Sequence, residues 1–312
     1  LVARASQFEP ELAYVDIDSR VESTSSSRPT QTSKDLGEVW DALVLGLRDY
    51  VKKNGFKSVV LGLSGGIDSA VCAVLAADAI GASNVYGVSM PSKYSSGHSK
   101  SDAADLAERI GCHYRTEAIE GMVDAFEDQL NLGGLASENL QARMRGVTLM
   151  ALSNSEGHLT LTTGNKTELA VGYSTIYGDS VGGFAPIKDV EKTLVWKLAE
   201  WRNAKAVHLG LTPPIPENSI TKPPSAELRP DQVDQDSLPE YELLDALLDG
   251  YVERRLGRDQ LVSEGFEAQT VDRIIALVDR AEWKRRQGAI GPKITGMAFG
   301  RDRRLPITNK FK

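Results

Sequence analysis

The feature that most constrains this chain is "LGLSGGIDSA", Leu61 to Ala70. A short apolar run, Ser58–Leu63, stops at a turn built from glycine and serine, and an amphipathic run begins at once. Ile67, Ala70, Val71, Val74 and Leu75 recur at helical spacing, which predicts a helix over Ile67–Ile80 directly behind a buried strand. Such a helix start leaves backbone N–H groups unpaired and carries positive partial charge, so it favours an anion. Gly65 and Gly66 let an anion approach the backbone closely, and Ser64 and Ser69 add hydroxyls. Asp68 is then the informative residue, because a carboxylate beside a phosphate is repulsive unless a cation lies between them. Mg²⁺ is such a cation, bound by oxygen and commonly shared between carboxylates and phosphates. A bare Gly-Gly would read as an ordinary turn with Asp68 as a helix-cap acid; strand, turn, serines, acid and helix together favour phosphate.

The loop sits within a longer alternation. Further strands are expected at Asn84–Met90, His113–Ile119 and Leu159–Thr163, with helices at Ser99–Ile110 and Leu140–Leu152. Alternating strand and helix predicts an α/β fold, a doubly wound, Rossmann-like parallel sheet with helices on both faces. Ligands then bind beyond the carboxyl ends of the strands. An earlier helix is expected after a capping box at Thr32 and Asp35, with Leu36, Val39, Trp40, Leu43, Leu47 and Val51 on its apolar face. Leu12–Asp18 reads as a short strand and Ser19–Lys34 as a polar linker, which leaves residues 35–312 as the main domain. Leu238–Arg255 and Val271–Arg286 read as helices packed on that domain or on another subunit.

With 312 residues and a net charge of −7, the chain as a whole is a poor binder of nucleic acid or membrane surfaces. It contains no run of apolar residues long enough to span a bilayer. Two cysteines, Cys72 and Cys112, make no disulfide framework and lack metal-ligand spacing, so the expected compartment is a reducing cytoplasm. His98, His113, His158 and His208 form no ligand pattern. Arg301, Arg303, Arg304, Lys310 and Lys312 make a basic tail, better matched to dinucleotide phosphates or an acidic neighbour than to nucleic acid.

"SGGIDS" lacks the lysine of a Walker loop and the spacing of a Rossmann dinucleotide loop. It resembles the SGGxDS loop of the PP-loop ATP pyrophosphatases, of the adenine nucleotide α-hydrolase-like fold, which cleave ATP between the α and β phosphates. "ENLQARMRG" (Glu138 to Gly146), "TTGNKTELAVGYSTIYGD" (Thr162 to Asp179) and "KPPSAELRP" (Lys222 to Pro230) narrow the resemblance to NAD⁺ synthetase, in particular the synthetase domain of the bacterial glutamine-dependent form. The resemblance runs from about Leu36 to Lys312. It implies a carbon–nitrogen ligase of NAD biosynthesis: ATP adenylates the nicotinate carboxylate of deamido-NAD⁺, and ammonia displaces AMP.

Carried over residue by residue, the resemblance implies Mg²⁺ on Asp68 and Glu168, with Lys192 and Lys284 also catalytic. ATP contacts are implied at Gly62, Leu63, Ser64, Gly65, Gly66, Ile67, Asp68, Ser69, Met90, Thr163, Lys192 and Ser225, the last replacing a threonine. Deamido-NAD⁺ contacts are implied at Asn139, Arg143, Glu168, Tyr173, Ser174, Thr175, Ile176, Asp179 and Lys284. Taken alone, Glu168 reads as a solvated first-turn acid favoured by the helix dipole, and only beside Asp68 does the metal reading prevail. Arg143 and Lys284 have surface readings that compete, and for Arg145 an exposed helix position is the reading adopted. The Gly-rich stretch Tyr173–Lys192 resembles the segment that orders over the substrates. Ammonia-dependent relatives carry a lysine where Ile176 stands and an aspartate near Gly183, and this chain has neither.

Neither cysteine reads as a glutaminase nucleophile: Cys72 is expected to pack in a helix, and His113 beside Cys112 is weak evidence of activation. "LVARASQFEPELAYVDID", residues 1–18, instead resembles the end of a nitrilase-type glutaminase domain. The expectation is that a glutaminase domain of the same polypeptide precedes Leu1 and supplies ammonia from glutamine. Ammonia-dependent relatives are dimers whose substrate site uses both chains, so a homo-oligomer is expected. Two alternatives stand beside this reading: another PP-loop enzyme such as a tRNA-modifying ATP pyrophosphatase, and a regulatory module that binds nucleotide without chemistry.

Overall fold

The computed structural model describes residues 5–14, 35–95, 97–229 and 232–308. Four strands, β1 (Val59–Gly62), β2 (Val85–Ser89), β3 (His113–Thr116) and β4 (Leu159–Thr160), form one sheet in the order β3-β2-β1-β4. Every pairing is parallel. Successive residues of β1 face opposite ways: Val59 and Leu61 enter one apolar cluster, Val60 the other. Burial on both faces is why β1 is a continuous apolar run rather than an alternating one.

The strands are shorter than the sequence predicts, although the ladder carries on past them. Leu161 N–H still donates to the Val60 carbonyl, but Thr162 N–H turns to Phe184, which makes an isolated bridge beside Leu161. The expected strand to Thr163 therefore ends in a change of partner. Leu12–Tyr14, expected in a strand, lie in none, and Leu12 and Tyr14 are exposed. Val15–Asp18, the linker to Lys34, Thr32 of the capping box, and Lys310 and Lys312 lie outside the described residues.

Helices cover both faces. α1 (Leu36–Lys53), capped by Asp35 on Gly37 N–H, joins α2 (Ile67–Ile80), α3 (Gly97–Ile110) and α7 (Lys192–His208) on one side. α4 (Glu120–Leu130) and α5 (Leu135–Glu156) cover the other. A third apolar cluster joins the short α6 (Lys166–Val171) to the carboxyl-terminal helices. Of these, α9 (Tyr241–Leu248), α10 (Arg258–Ser263) and α11 (Ala268–Arg280) enter the cluster, whereas α8 (Glu217–Thr221) and α12 (Glu282–Arg285) lie outside it. The helix expected over Leu238–Arg255 is α9 continued by a π turn, Asp249–Glu253. The one expected over Val271–Arg286 is split at Ala281 into α11 and α12. A buried polar anchor fixes this cluster to the site: Lys166 contacts Asp189 (3.0 Å), Glu253 (2.5 Å) and Thr295 (2.6 Å).

Candidate active site

Chain order reverses at β1, whose neighbours β2 and β4 are reached in opposite directions. An open parallel sheet has its crevice at such a point. Two connections meet there, Leu63–Gly66 leaving β1 and Leu161–Asn165 leaving β4. A cavity of about 600 Å³ opens over them.

The first connection is held by its own hydroxyls. Ser64 Oγ accepts from Gly66 N–H (3.1 Å), and Ser69 Oγ donates to the Gly66 carbonyl (2.9 Å). Gly65 adopts φ 75°, and a Cβ there would sit 2.5 Å from the Ser99 carbonyl oxygen, so only glycine fits. Gly66 is the α2 N-cap and gives no side-chain cap, which leaves the first-turn amides at the cavity wall for an anion.

The second connection faces it with a capping box. Asn165, fully buried, accepts from Glu168 N–H through Oδ1 (2.9 Å), and Glu168 Oε2 accepts from Asn165 N–H (3.2 Å). Asn165 Nδ2 also donates to Asp68 Oδ1 (2.9 Å), tying α6 to α2. Lys192, the first residue of α7, places its buried ammonium against Asp68 Oδ2, with Glu168 Oε1 at 3.8 Å. Burial and the adjacent Asp68 carboxylate raise the Glu168 carboxyl above its ordinary range, partly opposed by Lys192. For Lys192, burial alone would lower the ammonium, but Asp68 and Glu168 outweigh it and the net direction is up.

Further out, Asp234 accepts hydrogen bonds from Tyr173 (3.2 Å) and Tyr241 (2.6 Å) and adds a third acid beside Glu168. Residues 173–180 are fastened rather than loose. Thr175 N–H donates to Asp179 Oδ1 (2.7 Å), Thr175 Oγ1 bonds Asn139 Oδ1 (2.7 Å), and Thr162 Oγ1 donates to the Asp179 carbonyl (2.9 Å). Lys284 Nζ donates to the carbonyls of Gly172 (2.9 Å) and Ser174 (2.7 Å). Burial lowers the Lys284 ammonium, and nearby Asp179 opposes this.

The cavity wall brings together nearly all the residues singled out from the sequence: Gly62, Leu63, Ser64, Gly66, Ile67, Asp68, Ser69, Met90, Asn139, Thr163, Glu168, Tyr173, Ser174, Thr175, Asp179, Lys192, Ser225 and Lys284. Gly65 lies behind the loop against Ser99. Arg143 and Ile176 are not in this wall; Arg143 Nε donates to the Ile176 carbonyl (3.3 Å) and braces the 173–180 turn from α5. The adopted reading of Arg145 as an exposed residue is corrected. Its guanidinium lies in the wall, Nε donating to the Met90 carbonyl (3.2 Å), and burial lowers its pKa. Asn165 and Asp234 are not among the residues singled out from the sequence. Asn165 had a local signal, an asparagine three residues before a glutamate at a helix start.

Among the described residues no group of three or more histidine, cysteine or acidic side chains is arranged to hold a metal. The donor set is two carboxylates, which suits Mg²⁺ only if phosphate oxygens complete its shell.

The sequence model of the NAD synthase family matches residues 39–288. The chain belongs to the NAD synthase family. Among NAD synthase relatives, the glutamine-dependent NAD(+) synthetase of Acinetobacter baylyi is 49% identical over 315 residues, covering 99% of this chain and 58% of that protein. A solved glutamine-dependent NAD+ synthetase from Acinetobacter baumannii, in complex with ADP, is 47% identical with a TM-score of 0.59, covering 91% of this chain and 51% of that one. The NMN synthetase structure from Francisella tularensis is 28% identical with a TM-score of 0.69, covering 81% and 97%. The chain therefore spans about half the length of the glutamine-dependent relatives it matches.

Proposed function

We propose that this chain is the ammonia-using synthetase half of a glutamine-dependent NAD⁺ synthetase, converting deamido-NAD⁺ to NAD⁺ at the cost of ATP. A carboxylate oxygen of deamido-NAD⁺ attacks the α-phosphorus, the bond to the β-phosphate oxygen breaks, and pyrophosphate leaves. Ammonia then attacks the carbonyl carbon of the acyl-adenylate, AMP departs, and nitrogen loses one proton to give the amide. One observation carries this reading: Asp68, Glu168 and Lys192 meet beside the unpaired amides that begin α2, inside a cavity at the sheet's switch point.

The α2 amides and the Ser64–Ser69 loop hold the departing pyrophosphate, and Lys192 offsets its charge. Mg²⁺ held by Asp68 and Glu168, with phosphate oxygens, would neutralise charge on the leaving group. Lys284, through Gly172 and Ser174, sets the turn that receives the nicotinate end, and Arg145 adds a cation to the cavity wall beside Met90. Support for an ATP site also comes from the ADP complex of the Acinetobacter baumannii protein.

Ammonia has to be delivered. Burial raises the Cys72 thiol well above its ordinary value and pushes Cys112 up to about 11, so neither is a thiolate near neutral pH. We assign delivery to a glutaminase domain of the same polypeptide, in keeping with the names and greater length of the relatives. A homo-oligomer is favoured by apolar side chains left exposed on α4 and α5: Met122, Phe126 and Leu130, at helical spacing on α4, and Leu135, Val147 and Met150 on α5. No described helix is long and apolar enough to cross a membrane, and with two free cysteines we assign the chain to a reducing cytoplasm.

The test is an assay with ATP, Mg²⁺, ammonium and deamido-NAD⁺, followed for NAD⁺ and pyrophosphate, with nicotinate mononucleotide as the competing acceptor. Pyrophosphate release that depends on deamido-NAD⁺ is expected. Release that depends on the mononucleotide instead, or no release with either, would overturn the assignment. Glutamine in place of ammonium should give no NAD⁺ with this chain alone.

A further inference from the structure

Asp68 and Glu168 each have two carboxylate oxygens, and the four are not equivalent. Asn165 uses one from each: its Nδ2 donates to Asp68 Oδ1 (2.9 Å), and its backbone N–H donates to Glu168 Oε2 (3.2 Å). The remaining pair, Asp68 Oδ2 and Glu168 Oε1, both face the Lys192 ammonium. A cation already marks the point on which these two oxygens converge.

Asparagine is the residue this job requires. Its amide has one donor end and one acceptor end, and both are used: Oδ1 caps α6 at Glu168 N–H while Nδ2 reaches across to α2. Aspartate could cap the helix but would present lone pairs to Asp68. Serine could cap it but is too short to reach Asp68. The side chain is fully buried, so solvent does not replace these bonds freely. Its neighbour Lys166 is clamped by Asp189, Glu253 and Thr295, which fixes the backbone on which the asparagine sits.

We infer that Asn165 is the positioning residue of the site, fixing one oxygen of Asp68 and one of Glu168 so that the other two are aimed together at a divalent cation shared with the nucleotide phosphates. This rests on the reading of the site as a Mg²⁺–ATP site. Residues that orient metal ligands without touching the metal change affinity by about 10- to 100-fold when replaced.

The experiment compares wild type, Asn165→Ser and Asn165→Ala in the full chain. Mn²⁺ binding is followed by electron paramagnetic resonance with α,β-methylene-ATP, which cannot be cleaved at the bond in question. Serine keeps the α6 cap and loses the tie to Asp68, whereas alanine loses both. The expected result is Mn²⁺ affinity at least about 10-fold weaker in both variants, with the thermal midpoint lowered clearly only in Asn165→Ala. If Asn165→Ser binds Mn²⁺ as wild type does, the tie to Asp68 does not position the carboxylates and the inference is overturned. A wild type without saturable Mn²⁺ binding would overturn it too. Failure of wild type to make NAD⁺ would overturn the proposed reaction and leave the Mn²⁺ comparison readable, so the two failures are distinct.

Discussion

Asp68→Asn separates charge from shape at the centre of the site. The amide is isosteric, and its Oδ1 can still accept from Asn165 Nδ2 as the carboxylate does at 2.9 Å. What disappears is the negative charge against the Lys192 ammonium, together with the acceptor there, since an amide nitrogen takes the place of Oδ2. Lys192 is not then left alone, because Glu168 Oε1 lies 3.8 Å away. With Asp68 no longer raising it, an ionised Glu168 at that distance has a gross attraction to Lys192 of about 4 kcal/mol at an effective dielectric near 20. The stability loss should therefore fall below the ~3–5 kcal/mol that follows when a buried ion loses its only partner. About 1–2 kcal/mol is expected, within the usual range for single substitutions. Catalysis should suffer far more: loss of a charge aimed at the leaving group is expected to slow turnover by roughly 10³-fold, about 4 kcal/mol of barrier.

The same substitution has a pH signature. Burial and Asp68 raise the folded-state pKa of Glu168, so the folded protein holds that proton to higher pH than the unfolded chain. The associated stability is present at low pH and is lost as pH rises from the ordinary glutamate range through the raised value. Removing Asp68 moves Glu168 back toward ordinary behaviour and flattens that slope. Urea unfolding at several pH values, with pyrophosphate release measured on the same samples, checks both parts. Near-normal turnover, or an unchanged slope, would refute the reasoning.

Three further perturbations follow from the geometry. Lys284→Met removes two charged hydrogen bonds to the Gly172 and Ser174 carbonyls and should raise KM for deamido-NAD⁺ by about 10- to 100-fold, more than KM for ATP, as initial rates would report. Lys166→Met strands Asp189 and Glu253 without their shared cation and should cost about 3–5 kcal/mol of stability in denaturant unfolding. Phe126→Glu places a charge in the exposed stripe of α4 and should shift sedimentation toward the monomer at micromolar concentration without unfolding the chain.

The core of this site was legible because its signals are local. Strand, turn, acid and helix from Ser58 to Ile80 are contiguous, and their boundaries follow from apolar spacing and from glycines. Glu168 was less so: its own signal, an acid in the first turn of a helix behind a strand, is that of an ordinary helix acid, and only the resemblance paired it with Asp68. What could not be read depends on packing. Arg143 and Arg145 are two positions apart on α5, about 200° around the helix, so one braces the 173–180 turn and the other enters the cavity wall. Buried positions of α5 include Gln141, Ala142 and Gly146 as well as Leu140 and Leu149, so apolar periodicity does not disclose its inner face. Lys192 reaches Asp68 across 124 residues of chain, and only the docking of α7 on α2 supplies that contact. The departures at Ile176 and Gly183 also have a local form: Ile176 offers its backbone carbonyl to Arg143, and Gly183 continues the β4 ladder onto Thr160.

The central claim is that the bond formed first joins a substrate carboxylate to the α-phosphate. Deamido-NAD⁺ labelled with ¹⁸O in the nicotinate carboxylate tests it directly, with AMP and pyrophosphate analysed by mass spectrometry after one turnover in ammonium. The mechanism predicts one ¹⁸O atom in AMP and none in pyrophosphate. Label in pyrophosphate, or AMP without label while NAD⁺ accumulates, would contradict it.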